Sequence, residues 1–144
     1  MRGAMTQALS KVDYEALAAF RHALRRFLDF SGEAAKEAGL TPQQHQALLA
    51  IKGFPDRDRV TIGELAEQLV QRHHSTVGLV DRLEALGLVR READPADRRR
   101  ALVALTDRAE AVLAGLSAIH RAELRRLGPS LAALLQRLEG RDEG

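Results

Sequence analysis

Between Gly87 and Thr106 the spacing of apolar residues changes. Up to Gly87 they recur at threes and fours. Beyond it, Leu88-Val89-Arg90-Arg91-Glu92 and then Arg99 to Leu105 run with a period of two, with Ala101, Val103 and Leu105 on one side. Asp94-Pro95-Ala96-Asp97 has the residues of a turn between them. The period therefore predicts one two-stranded hairpin in a chain that is otherwise helical. A hairpin tip needs the turn. It does not need Arg98, Arg99 and Arg100, which follow the turn directly. A lone basic run of this kind is most simply a solvated loop, so its meaning depends on what precedes it.

What precedes it is a series of well-punctuated helices. Ser10 to Ala38 reads as one long helix, with Val12, Ala16, Phe20, Leu24, Phe27 and Leu28 at helical spacing and Gly39 as the residue that ends it. Thr41-Pro42-Gln43-Gln44 restarts a helix, with Thr as N-cap and Pro at the first position. That helix runs through His45 to Ile51 and closes at Gly53 and Pro55. Asp56-Arg57-Asp58-Arg59 then reads as an exposed charged loop.

Thr61-Ile62-Gly63-Glu64 is a second capping box, opening a short helix with Leu65, Ala66 and Leu69 inside. The turn Val70-Gln71-Arg72-His73 has neither Pro nor Gly. A third helix follows, with Val77, Val80, Leu83 and Leu86 as its apolar stripe and Gly87 at its end. Its other face carries His74, Ser75, Gly78 and Arg82, which are polar or small. After the hairpin, Thr106 caps a long helix through Val112, Leu113, Leu116, Ile119 and Leu124. Gly128-Pro129-Ser130 is expected to break it before a last helix holding Leu131, Leu134, Leu135 and Leu138. The tail Arg141 to Gly144 is expected to fray.

Helix, turn, helix and a hairpin with a basic tip make a winged helix-turn-helix. The fold class is mainly α with a small β-wing, as a single domain 1–144. Residues 40–106 form the winged part, and long helices 10–39 and 107–140 flank it. The arrangement accounts for the arginines. A helix fits the major groove of B-DNA, and a hairpin beside it reaches the neighbouring minor groove, where arginine is favoured. Residues 90–100 hold five arginines against Glu92, Asp94 and Asp97, a local net of +2 equal to that of the whole chain.

Other classes fit less well. There is no cysteine, so disulfide scaffolds and thiol chemistry are excluded. No apolar run approaches the roughly 20 residues of a membrane helix, and Met1 to Ser10 has no apolar stretch, so a cytoplasmic protein with no membrane partner is expected. His73 and His74 are adjacent, and adjacent helical positions point about 100° apart, a poor geometry for one metal. His22, His45 and His120 stand singly. No nucleophile elbow, phosphate loop or paired carboxylates in an apolar setting appears. No enzyme activity, metal or cofactor is expected.

The segments "TIGELAEQL" (61–69), "VDRLEALGLVRR" (80–91) and "DPADRRRALVALT" (94–106) resemble the MarR family of bacterial transcription regulators. The last is similar to that family's wing signature at Asp97, Arg99, Leu105 and Thr106. The resemblance implies a homodimer, built by the N- and C-terminal helices, on a pseudopalindromic operator in double-stranded DNA. Repression is the implied activity.

It also implies roles for residues. Arg99 would enter the minor groove, restrained by Asp97, with Arg98 and Arg100 near phosphates. Arg72, His73, His74, Ser75, Thr76, Gly78 and Arg82 would form the groove-facing part of the recognition helix. Many relatives have a Ser/Thr-Arg pair at its centre, where this chain has Val77 and Gly78. Relatives also take small aromatic or anionic effectors. Phe20, Phe27, Phe30 and Leu49 are the apolar candidates here, though residues of this kind are more often ordinary core.

The N-terminal helix would extend about 43 Å at 1.5 Å per residue. A chain of 144 residues is too small to cover it, which itself points to a second copy. The alternative from another class is a winged helix that binds protein rather than DNA. Steep salt dependence of binding to nonspecific DNA separates the two.

Overall fold

Thr41 and Thr61 each open a helix by reciprocal hydrogen bonds. The Thr41 hydroxyl accepts from the Gln44 amide (3.1 Å), and the Gln44 side chain accepts from the Thr41 amide (3.0 Å). Thr61 and Glu64 repeat the pattern at 3.1 and 2.9 Å. Both boxes satisfy amides that a helix start leaves without partners. The computed structural model describes residues 8–139, built from α1 (Lys11–Glu37), α2 (Pro42–Lys52), β1 (Arg59–Thr61), α3 (Ile62–Leu69), α4 (His73–Ala85), β2 (Val89–Ala93), β3 (Ala101–Leu105) and α5 (Asp107–Glu139). The tail Arg141 to Gly144 lies outside the described residues.

Helix ends follow the glycines. Gly39 (φ +83°) and Gly87 (φ +73°) take the left-handed conformation that only Gly adopts without cost. The amide of Leu40 donates to the Ala35 carbonyl (2.8 Å) and that of Leu88 to the Leu83 carbonyl (2.9 Å), so both helices end in the same six-residue closure. Leu40 and Leu88 are buried where that closure turns them inward.

The sheet has three strands in the order β1-β3-β2, all antiparallel. β1 was not expected. It is three residues long with one apolar side chain, Val60, and it pairs Val60 with Val103. The exposed loop read at 56–59 therefore ends one residue early. β3 is the central strand, so Val103, Ala104 and Leu105 are all buried rather than alternating. Ala104 has Arg59 and Arg90 as its cross-strand neighbours, and their long stems flank it. Ala101, expected on the inner side with Val103 and Leu105, is exposed at the start of β3.

Two further expectations are corrected. The return strand begins at Ala101, not Arg99, so Arg98 to Arg100 belong to the turn. And α5 runs unbroken through Gly128-Pro129-Ser130. A proline removes one amide and crowds the carbonyl four residues back. Here that local cost does not end the helix, which is flanked by Leu124 and Leu127 on one side and by Leu131, Leu134 and Leu135 on the other.

The chain clusters into two compact units rather than one. Among the described residues, the first comprises 8–31 together with 120–139. The second is Gly32–Ile119. The winged unit is thus wider than residues 40–106. Its apolar core includes Ala34 and Ala35 from α1 and Ala109, Leu113 and Leu116 from α5, packed with Leu48, Ile51, Leu65, Val80 and Leu83. In the first unit Ala16 is buried, and the rings of Phe27 and Phe30 lie edge-on to His120 at 5.8 and 5.7 Å. The His120 ring also hydrogen-bonds Ser31 at 2.7 Å.

Candidate nucleic-acid interface

The turn between α3 and α4 is closed by Val70, at φ +53° and ψ +48°. The Gln71 amide donates to the Ala66 carbonyl at 2.9 Å, the closure made elsewhere at glycines. A β-branched residue in this conformation is strained, at a cost on the order of 1 kcal/mol or more. Val70 is also 91% exposed. The close approach of α3 to α4 thus rests on backbone geometry, with Ala66 a small buried residue on α3.

α4 has a buried side formed by Thr76, Leu79, Val80 and Leu83. This corrects the phase read from the sequence in two respects. Val77 is only partly buried and Leu86 is exposed, while Leu79 takes an inner position. Thr76, expected to face the groove, is fully buried, and its hydroxyl donates to the Arg72 carbonyl at 3.1 Å. That bond satisfies a polar group that the core would otherwise penalise. The signal was present: positions 76, 79, 80 and 83 are one helical stripe, with threonine in an apolar place. His73, His74, Ser75 and Arg82 are exposed, Arg72 precedes them exposed at the N-cap, and Gly78 is half-buried. A side chain at Gly78 would meet the Arg82 guanidinium at 3.6 Å. These six therefore remain on the outer surface of the turn and helix.

The hairpin tip has no apolar core. Two aspartates organise it instead. Asp94 is buried; its carboxylate accepts from the Ala96 amide (2.9 Å) and pairs with Arg100 at 3.6 Å. Asp97 accepts from the Arg99 amide (3.1 Å) and from Arg99 Nε (3.2 Å). These bonds from the Arg99 backbone and then its guanidinium hold the Asp97 carboxyl below the usual aspartate range, with the charge of Arg100 adding to the effect. The tip is closed by the Asp94 amide to the Arg100 carbonyl and the Arg100 amide to the Asp97 carbonyl. Arg99 remains 91% exposed, and Arg98 has no carboxylate partner among the described residues.

The hairpin is tied to α4 and α5. Arg91 reaches Asp81 and Glu84 of α4, both at 2.7 Å. The Thr106 hydroxyl donates to the Gly87 carbonyl (2.7 Å), and Arg108 donates to the Leu86 carbonyl (2.8 Å). Sequence reading missed the Arg91 contacts because nothing in the local pattern pairs a strand arginine with a helix seven to ten residues back. On the other sheet face Arg59 and Arg90 share Glu92, at 2.6 and 2.8 Å. At the start of α3, burial works against ionisation of Glu64, but its bonds from Thr61 and its pairing with Arg57 outweigh this and lower its pKa.

The effector candidates fall in different units. Phe20, Phe27 and Phe30 belong to the first and Leu49, which is exposed, to the second. A groove of about 370 Å³ in the second unit is lined by Ala34, Glu37, Ala38, Val112, Gly115 and Leu116 among others, and by none of the four. Among the described residues no group of three or more His, Asp or Glu could hold a metal, and no helix is long and apolar enough to cross a membrane.

A family model described as the MarR family matches residues 38–100, which contain α3, α4 and β2. The transcriptional regulator HosA of Escherichia coli O111:H- is 40% identical over 75 residues, covering 52% of this chain and 53% of HosA. The crystal structure described as a "probable transcriptional regulator" from Pseudomonas aeruginosa is 31% identical, with a TM-score of 0.60, covering 82% of this chain and 92% of that one. This chain belongs to the MarR family. Its match to the curated HosA spans about half of that protein's length. The fold is also that of Staphylococcus aureus MepR, whose F27L mutant is solved bound to an oligodeoxyribonucleotide. That likeness has 18% identity and a TM-score of 0.66, over 85% of this chain and 94% of that one.

Proposed function

We propose that this MarR-family chain is a cytoplasmic, sequence-specific DNA-binding regulator of transcription, and not an enzyme. The observation that carries the reading is the pairing of two exposed surfaces in one unit. One is the outer face of α4 with His73, His74, Ser75, Gly78 and Arg82. The other is the hairpin tip with Arg98 and Arg99 exposed. A polar helix face beside an arginine-tipped wing suits a major groove and its neighbouring minor groove. The oligodeoxyribonucleotide held by the MepR mutant supports this use of the fold.

The chain acts as a homodimer on a pseudopalindromic operator. Leu17, Leu24 and Leu28 of α1 and Leu124 and Leu135 of α5 are exposed large apolar residues in the first unit, a pattern that marks an interaction surface. Occupancy of the operator represses transcription, and a small aromatic or anionic effector releases it.

The test is footprinting over the protein's own upstream region, followed by binding isotherms at two salt concentrations. A protected two-fold site, with affinity falling steeply as salt rises, supports the reading. Binding to no DNA at low salt sinks it and favours a protein-binding winged helix. For the dimer, Leu24→Glu with Leu28→Glu should halve the mass seen by light scattering and leave the helical signal in place. A wild-type chain that is monomeric at micromolar concentration ends the dimer reading.

A further inference from the structure

Asp81 and Glu84 stand on the outward part of α4, one turn apart, on the side toward β2. If α4 enters a groove, two carboxylates at its flank oppose the phosphate chain. Three residues apart on a helix, they also repel each other. The structure answers both problems with one side chain. Arg91 of β2 sends Nη2 to Asp81 Oδ1 and Nη1 to Glu84 Oε1, each at 2.7 Å.

Arg91 is the more enclosed member, 28% exposed against 61% for Asp81. The planar fork of a guanidinium presents two fixed Nη donors to two separate acceptors, where an ammonium would offer both a single compact charge on a flexible stem. No other ion pair among the described residues joins α4 to the hairpin. The neighbouring arginines face elsewhere: Arg90 points to the opposite sheet face, where it bonds Glu92 and the Leu105 carbonyl. The hydrogen bond that Arg91 donates to Asp81 raises the Arg91 pKa; burial opposes this, but the charges of Glu84 and Asp81 add to the rise, so the cation persists wherever the acids are ionised.

We propose that Arg91 is a positioning residue for DNA binding: it holds Asp81 and Glu84 against the β2 flank of α4 and offsets one of their two charges, so that the outer face meets the phosphates with the opposing charge at its flank halved. This rests on the DNA-binding reading above. Arg91 acts through the acids and does not itself contact DNA. It therefore differs in role from Arg98 and Arg99, which are exposed at the wing tip.

The experiment uses the full chain with two duplexes: the footprinted upstream site and a scrambled duplex of equal length. Thermal melts of each variant establish that it is folded. Arg91→Gln should weaken binding to both duplexes about tenfold, the scale of one or two charge contacts to the phosphate chain. Arg91→Gln combined with Asp81→Asn and Glu84→Gln should return affinity on both to at least the wild-type level, since the group's net charge goes from −1 in the wild type to zero. Arg91→Lys, which keeps a cation at the site, should fall between. The deciding readout is the rescue compared with Asp81→Asn, Glu84→Gln made beside an intact Arg91: removing the acids should raise affinity clearly more when Arg91 is absent, whereas an equal gain in both backgrounds would mean that Arg91 does not mask them and overturns the proposal. Full loss in the triple variant overturns the proposal, and so does unchanged binding by Arg91→Gln. If Arg91→Gln does not fold, Arg91→Lys against its own Asp81→Asn, Glu84→Gln combination makes the same comparison. Wild-type protein that binds neither duplex removes the DNA-binding reading, and this proposal with it.

Discussion

The first turns of α4 and the tip of the hairpin both present arginines and polar groups outward, yet they are held by different means. In α4 the outer face is fixed from behind. Thr76, Leu79, Val80 and Leu83 lock the helix phase into the core, and His74, Ser75 and Arg82 are exposed as a consequence. At the tip nothing apolar lies behind. Asp94 and Asp97 accept backbone amides and each keeps one arginine, Arg100 and Arg99 respectively. The difference teaches that mutations in the two places should be read differently. A change in α4 tests folding before it tests binding. A change at the tip tests binding almost alone.

The largest expected effect breaks the comparison on the α4 side. Val80 is fully buried in the winged core. Val80→Asp puts a carboxylate there without a partner, which costs several kcal/mol and approaches the whole stability of a small domain. The thermal melt should be lost or lowered by tens of degrees, and DNA binding should vanish with it. A folded Val80→Asp protein would show that α4 is not packed as described. Thr76 follows the same logic on a smaller scale. Because its hydroxyl is buried and bonded to Arg72, the residue belongs to the folding side of the comparison, although its polarity in the sequence suggests the DNA side.

How far the sequence was legible divides along the same line. Features set by neighbours within four residues were readable: both capping boxes, the glycine ends at 39 and 87, and the existence of the hairpin. Features set by distant packing were not. β1 needs β3, more than forty residues on, to be a strand at all. The phase of α4 depends on a core assembled from residues as far apart in sequence as Ala34 and Leu116. Pro129 looks like a stop signal and does not act as one. At the candidate site, six of the seven residues expected to face the groove lie on the outer surface, and Thr76 does not. At the wing, the pairing of Asp97 with Arg99 was legible because the two lie two residues apart. The alternation of the arginines was not, since Arg98 to Arg100 lie in a turn whose course a strand rule does not describe.

The middle effect sharpens the wing side. Arg99→Ala removes a guanidinium that is almost wholly solvent-exposed, so the melting temperature should stay within the range of surface changes, about 0.5 kcal/mol. Operator affinity should fall by roughly 1–3 kcal/mol per wing, the scale of a specific arginine contact to base edges. Preference at the flanking A·T-rich positions should relax as well. Isotherms on the operator and on scrambled flanks check this. Equal losses on both would reduce Arg99 to a charge contact. Asp97→Ala should weaken binding in the same direction but less, because it frees the Arg99 side chain without removing it. The sign of its pH dependence follows from the lowered carboxyl pKa: restraint is intact above the ordinary aspartate value and is lost only as pH falls through the lower folded one.

The smallest expected effect separates the two arginines that flank Arg99. If the strand pattern had continued through the tip, Arg98 and Arg100 would share a face and behave alike. They do not share surroundings. Arg100 is paired with the buried carboxylate of Asp94, and its amide closes the tip onto Asp97, whereas Arg98 has no acidic partner among the described residues. A guanidinium already opposite a carboxylate adds little net charge to a phosphate contact. Arg98→Ala should therefore lower the slope of log affinity against log salt by about one per site, equally on operator and scrambled DNA, with no change in the melt. Arg100→Ala should change that slope less. It should instead destabilise the tip slightly, because it leaves the buried Asp94 carboxylate without its cation. Salt titrations of the two single variants, beside melts of each, make the comparison. Identical slopes for both would mean that Arg100 leaves Asp94 when DNA binds, and that the order of the tip belongs to the free protein alone.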